Sequence, residues 1–164
     1  MRILFVVAVL IGIPALLTAE TPVNFPGPTW PLPPIVSNSG MIFSGTVLKV
    51  EHLSSDPAIA PGVTRITFRV ENAIRGVSRG QVIQIREWEG LWGAGEQYRS
   101  GEQVFLFLYP SSKLGLTSPV AGSLGRYTVN PAGQVLPKPV GGMRPKPIDV
   151  RTFTSEVRRA AEER

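Results

Sequence analysis

Residues Thr64–Trp88 read TRITFRVENAIRGVSRGQVIQIREW, and the fold follows from how this stretch alternates. Ile66, Phe68 and Val70 fall on one side and Thr67 and Arg69 on the other, the two-residue period of a half-buried strand. A connection holding Gly76 and Gly80 follows, with Glu71–Arg75 read as a short turn. Beyond it Ile83 and Ile85 fall on one side and Val82, Gln84, Arg86 and Trp88 on the other. Two such strands joined through glycines predict the centre of a small β-barrel.

Upstream, MIFSGTVLKVE from Met41 puts Ile42, Ser44, Thr46, Leu48 and Val50 on one face and Phe43, Gly45, Val47 and Lys49 on the other. Gly45 brings no side chain to the strand interior, which predicts a bulge or a sharp coil of the kind a small barrel needs to close. The loop His52–Gly62, with Asp56-Pro57 and Pro61-Gly62, returns the chain to Thr64 as an antiparallel partner. Downstream, Gly90–Gly101 (GLWGAGEQYRSG) is a glycine-punctuated connection. The next strand, Gln103–Tyr109, is apolar on both faces, with Val104, Leu106 and Leu108 against Phe105, Phe107 and Tyr109. A strand without a polar side is covered twice.

Short strands are expected at Leu114–Thr117 and Arg126–Val129, followed by a hairpin through Asn130-Pro131-Ala132-Gly133 into Gln134–Leu136. The C-terminus supplies the second cover. Asp149 is a good N-cap for VRTFTSEVRRAAEER, in which Val150, Phe153, Val157 and Ala160 recur at helical spacing. The expectation is a mainly β chain: a five- to six-stranded OB-like barrel over residues 41–137, a Pro/Gly linker over 138–148, and a helix over 149–164 packed on the barrel.

The 164 residues allow one domain with a real core. Arg2 precedes an apolar run, Ile3–Leu17, which ends at Thr18-Ala19-Glu20-Thr21. A basic start, an apolar middle and a small residue at the cut predict a signal peptide over residues 1–19 and export to a bacterial periplasm or exterior. The alternative is an uncleaved anchor, although the run is slightly shorter than the ~20 apolar residues of a spanning helix. That segment would be the chain's only membrane contact, and no cysteine follows it to carry a lipid. Without Arg2, sixteen basic residues stand against twelve acidic ones. This excess is mild and scattered, so no nucleic-acid partner is expected. With no cysteine, the exported domain has no thiol chemistry and is held by packing alone. Residues 20–40 read as a proline-rich extended arm, because Pro22, Pro26, Pro28, Pro31, Pro33 and Pro34 oppose both a helix and a central strand. The arm is either a solvated leader or lies along the barrel with Phe25 and Trp30 in its surface.

The order FSGTVLKVE, TRITFRVENAIRG, a glycine-rich loop and GEQVFLFLYP resembles the tissue-inhibitor-of-metalloproteinase and netrin-like modules, in particular their cysteine-free bacterial relatives. The similarity spans about Met41–Val129. Its most specific pieces are the Phe68-x-Val70…Gly76 pattern and the Gly101-Glu102 turn before Val104–Leu108. The resemblance implies a five-stranded OB-fold barrel, usually exported. It does not transfer function. In the animal inhibitors it would imply an N-terminal cysteine whose amine and carbonyl chelate the protease zinc, and this chain has no residue for that role.

No residue set declares a catalytic or metal-binding chemistry, and no cofactor is expected. His52 is the lone histidine and reads as a solvated side chain. Asp56 and Asp149 are far apart, and no GxSxG elbow or phosphate-binding loop is present. Glu87 and Glu89 share a face at strand spacing near Arg86, as a glycosidase pair would, but read as exposed strand-end charges. The aromatic loop is the better signal. Trp88, Trp92, Tyr98 and Arg99 are residue types of interface hot spots in a connection where large aromatics either cap the barrel or bind. These four are the candidate partner-binding residues, and another exported or envelope protein is the expected partner. A glycan-binding or a purely structural envelope role are the alternatives.

Overall fold

The computed structural model describes residues 32–53, 62–90, 98–138 and 146–162. The signal segment 1–19, the arm as far as Pro31 and Trp92 lie outside them. The described strands are β1 (Met41–Leu53), β2 (Val63–Arg75), β3 (Val82–Trp88), β4 (Gln103–Leu108), β5 (Arg126–Val129), β6 (Gln134–Leu136) and β7 (Ile148–Asp149). They form one antiparallel sheet in the order β3-β2-β1-β4-β5-β6-β7, with helices α1 (Leu32–Asn38) and α2 (Val150–Glu162) beside it. The mainly β class and the C-terminal helix are as the sequence predicts.

The alternation decides which side chains enter the core. Ile66, Phe68, Val70 and Ile85 point into one apolar cluster with Phe43, Val47, Val104, Leu106 and Leu108. Val82, Gln84, Arg86 and Trp88 stay exposed on the other side of β3. The opposite face of β4 carries Phe105 and Phe107 into a second cluster with Ile42, Tyr127, Val135, Phe153 and Val157. The two-sided burial read from β4 is therefore real, and α2 is its outer cover. Asp149 caps that helix, accepting hydrogen bonds from the amides of Arg151 at 2.9 Å and Thr152 at 3.3 Å.

The β1–β2 register shifts between Ser44 and Gly45, where a bulge was expected. A Cβ at Gly45 would overlap the Arg69 carbonyl, so the two backbones approach as closely as only glycine permits.

The structure departs from the sequence reading in four places. The ladder is not closed, and β3 and β7 stand at its ends. It curls enough for the Thr117 amide to donate to the Arg86 carbonyl at 2.8 Å, while Leu108 bridges Pro119. Leu114–Thr117 is not a strand: Ser112 folds the segment into a turn, its amide donating to the Leu116 carbonyl and its own carbonyl accepting from Gly115, both at 2.8 Å. Glu71–Arg75 is not a turn but the end of β2, paired with Ile42–Ser44 of β1. Finally, Leu32–Asn38 in the supposed extended arm is helical. Pro33 and Pro34 occupy the first turn, where no amide donor is needed. Arg75 satisfies the other end, donating to the carbonyls of Val36 at 2.6 Å and Ser39 at 3.1 Å.

Tyr127 carries a measurable consequence of this packing. Burial pushes its phenol from the usual 10 up to about 12. Below pH 10 the phenol is neutral in the folded and the unfolded chain alike. Between about pH 10 and 12 the unfolded chain gives up the proton and the folded chain keeps it, so stability falls as pH rises. At about 1.4 kcal/mol per unit, roughly 2–3 kcal/mol is lost across that window. Urea unfolding from pH 9 to 12 is expected to show a shallower decline in Tyr127→Phe than in the native chain. Parallel declines would show that the phenol ionises freely in the fold.

Candidate functional site

Trp88 ends β3, paired across from Val63 of β2, and strand parity turns it away from the core. Its side chain is 46% exposed. A Cβ at Gly90 would collide with the indole, so the ring folds back over that glycine and is held there by contact. Tyr109 follows β4 and is 40% exposed. Between the two runs a shallow groove of about 280 Å³, lined by Trp88, Tyr109, Pro110, Leu116 and the hydroxyl-bearing Ser112, Thr117 and Ser118.

The far wall of the groove is tied down at several points. The Tyr109 amide donates to Ser118 at 3.0 Å, and the Thr117 hydroxyl donates to the Tyr109 carbonyl at 2.6 Å. The Thr117 amide reaches Arg86 of β3, and the Leu116 amide reaches the Ser112 hydroxyl at 3.1 Å. Two large aromatics on a hydrogen-bonded frame present apolar area at little entropic cost.

Of the four residues singled out by sequence, only Trp88 lines this groove. Tyr98 is 4% exposed and belongs to the core, in edge contact with Phe68 at 5.5 Å between centroids. Its hydroxyl donates to Glu87 at 3.1 Å, and the Arg126 guanidinium sits 3.9 Å above its ring. Burial, then the charge of Glu87, pushes the Tyr98 phenol well above its ordinary range. Arg99 is exposed, and its amide donates to Glu102 at 3.1 Å. Trp92 falls outside the described residues.

The carboxylates expected side by side at the end of β3 are in different surroundings. Glu87 is buried against Tyr98, not exposed. Glu89 is half-exposed and pairs with His52, whose Nδ1 lies 3.2 Å from its carboxylate. Among the described residues no group of three or more His, Asp or Glu side chains is placed to hold a metal ion, and no helix is long and apolar enough to cross a membrane.

Tyr109, Pro110 and Leu116 were not anticipated as surface residues. Tyr109 reads as the last inward residue of an apolar strand, but β4 ends at Leu108 and the chain turns at Pro110. The proline directly after Tyr109 was the available signal.

No protein-family model matches the chain, and neither does any curated protein or solved structure.

Proposed function

We propose that this protein is an exported, non-enzymatic interaction module that binds another exported or envelope protein through the groove between Trp88 and Tyr109. The observation that carries this reading is the pair of half-exposed aromatics on a frame fixed by hydrogen bonds. Monomeric proteins rarely leave large aromatics together at the surface without a use for them. Trp and Tyr also dominate the few positions that supply most of the energy of an interface. The apolar segment Ile3–Leu17 supports export, and the resemblance to the netrin-like modules supports the same compartment.

The test is affinity capture from the envelope fraction of the source organism, with the native chain and the Trp88→Ala, Tyr109→Ala double variant as baits. Truncating a hot-spot aromatic costs about 2 kcal/mol or more, roughly thirty-fold in affinity. Partners held by the native chain are therefore expected to be lost from the variant, with its circular dichroism and melting temperature near native values. Equal capture by both baits would remove the groove as the site. Retention on peptidoglycan that both baits share would favour the glycan-binding role instead.

A further inference from the structure

The basic excess is scattered along the sequence, but the pairing of β2 with β3 gathers part of it on one face. Arg65 stands directly across from Arg86, and Arg69 lies further along the same side of β2. By strand parity all three point away from the cluster that holds Ile66, Phe68 and Ile85. Arg69 and Arg86 are exposed and Arg65 is half-buried. We propose that this face is a peripheral membrane contact, laying the three arginines against the anionic headgroups of a lipid bilayer. It is a second membrane contact, separate from the apolar segment Ile3–Leu17 read from the sequence.

The first observation is electrostatic. Like charges directly opposite each other across two strands are destabilising, and among the described residues none of the three arginines makes an ion pair. Glu51, opposite Arg65 on β1, is already paired with Lys49 at 2.8 Å. Arg86 donates from Nη1 to the Leu114 carbonyl at 3.4 Å and keeps its other donors. A guanidinium presents its donors in a planar fork that matches the oxygens of a phosphate. The face therefore holds an excess of positive charge with phosphate-binding geometry to spare.

The second is apolar. The bond from Arg86 ties the turn around Leu114 to the edge of this face. Leu114 is 75% exposed, the most open large apolar side chain among the described residues, and the exposed Lys113 precedes it. Trp88, on the same side of β3 as Arg86, is exposed as well. Cations that meet phosphates, an indole at headgroup depth and an aliphatic tip that enters the acyl boundary are the parts of an interfacial membrane site. A soluble polyanion would use the arginines and leave Leu114 in water. The bilayer uses both.

The chain has no cysteine, so Ser111→Cys creates a unique site near Leu114 for a dye whose emission shifts on leaving water. The labelled full chain is titrated with vesicles of phosphatidylcholine alone and with vesicles of equal parts phosphatidylcholine and phosphatidylglycerol. The shift is expected with the anionic vesicles only, and it should weaken as salt is added. Each basic side chain at an anionic surface is worth about five-fold in partitioning. Arg65→Gln, Arg69→Gln and Arg86→Gln together should therefore raise the lipid needed for half the shift about hundred-fold. Leu114→Ser should raise it about ten-fold and keep the salt dependence. The segment Ile3–Leu17 is present in every variant, so differences between them belong to this face. No shift, an equal shift with neutral vesicles, or an unchanged titration in the arginine variant would each overturn the proposal. So would an unchanged titration in Leu114→Ser, which would make the face a charge-only site for a soluble polyanion. None of these outcomes depends on whether an envelope partner is captured through the Trp88–Tyr109 groove, so the two readings fail separately.

Discussion

Phe153→Ala is expected to remove about 4 kcal/mol of stability and to lower the melting temperature by roughly 10–20 °C. Phe153 is fully buried, and its ring meets Phe105 at 4.9 Å, Tyr127 at 5.4 Å and Phe107 at 6.4 Å in edge-on arrangements. Truncation forfeits the transfer of a large apolar side chain and leaves a cavity, together about 3–5 kcal/mol. The lost ring contacts, about 0.5–1.5 kcal/mol per pair, are contained in that range and place the loss in its upper half. A domain of ordinary stability has only about 5–15 kcal/mol to lose. As a control, Arg159→Ala on the exposed side of α2 should shift stability by less than about 0.5 kcal/mol. Urea unfolding followed by far-ultraviolet circular dichroism measures both. If Phe153→Ala cost less than about 1 kcal/mol, α2 would be an appendage and not the second cover of β4.

What the sequence disclosed and what it hid have a common cause. The alternation of Ile66, Phe68 and Val70, the two apolar faces of β4 and the helical spacing of Phe153 and Val157 are patterns of side-chain polarity with a fixed period, and burial follows polarity. The features that were not legible depend on partners distant in the chain. Glu87 falls on the inward side of β3 by parity, yet its charge argues for solvent. It is buried because Tyr98, eleven residues on, donates a hydrogen bond to it. Tyr98 comes from a glycine-punctuated connection and Tyr109 stands before a proline, and only the fold decides that the first is core and the second surface. The helix Leu32–Asn38 was masked by its two prolines, which break a helix interior but suit a first turn. The extension of β2 to Arg75 was hidden by Glu71-Asn72, which look like turn residues. Asn72 instead donates to the buried Ser44 hydroxyl across β1 at 2.8 Å, and Glu71 accepts from Thr46 at 2.5 Å.

Arg126→Met is expected to cost about as much as the loss of Phe153, although it removes no apolar contact of comparable size. Arg126 is 7% exposed. Its Nη2 donates to both oxygens of Glu102, at 3.2 and 3.3 Å, and its guanidinium covers the ring of Tyr98, whose hydroxyl is bound to Glu87. The cation thus pairs with Glu102, whose side chain is only 17% exposed, and covers the tyrosine that holds the buried Glu87. Methionine keeps most of the length and the apolar stem but leaves the Glu102 carboxylate uncompensated, and stranding a largely buried charge in this way costs about 3–5 kcal/mol. Arg126→Lys keeps the charge and loses the flat fork that bonds and stacks at once, so it should fall between the native chain and the methionine variant. Adding Glu102→Gln to Arg126→Met should restore part of the loss, because one stranded charge is then removed, and the chemical denaturation midpoints of the native chain, Arg126→Met, Glu102→Gln and the double variant form a cycle that reads the coupling directly. Strictly additive losses would mean that Glu102 is hydrated and the pair is only a surface contact. The site adjoins the same cluster: Glu87 precedes Trp88 in β3 and is held by the buried Tyr98. Variants that loosen Arg126 while the protein stays folded should therefore also weaken capture through Trp88, whereas Phe153→Ala, acting on the opposite face of β4, should leave capture by the folded fraction unchanged.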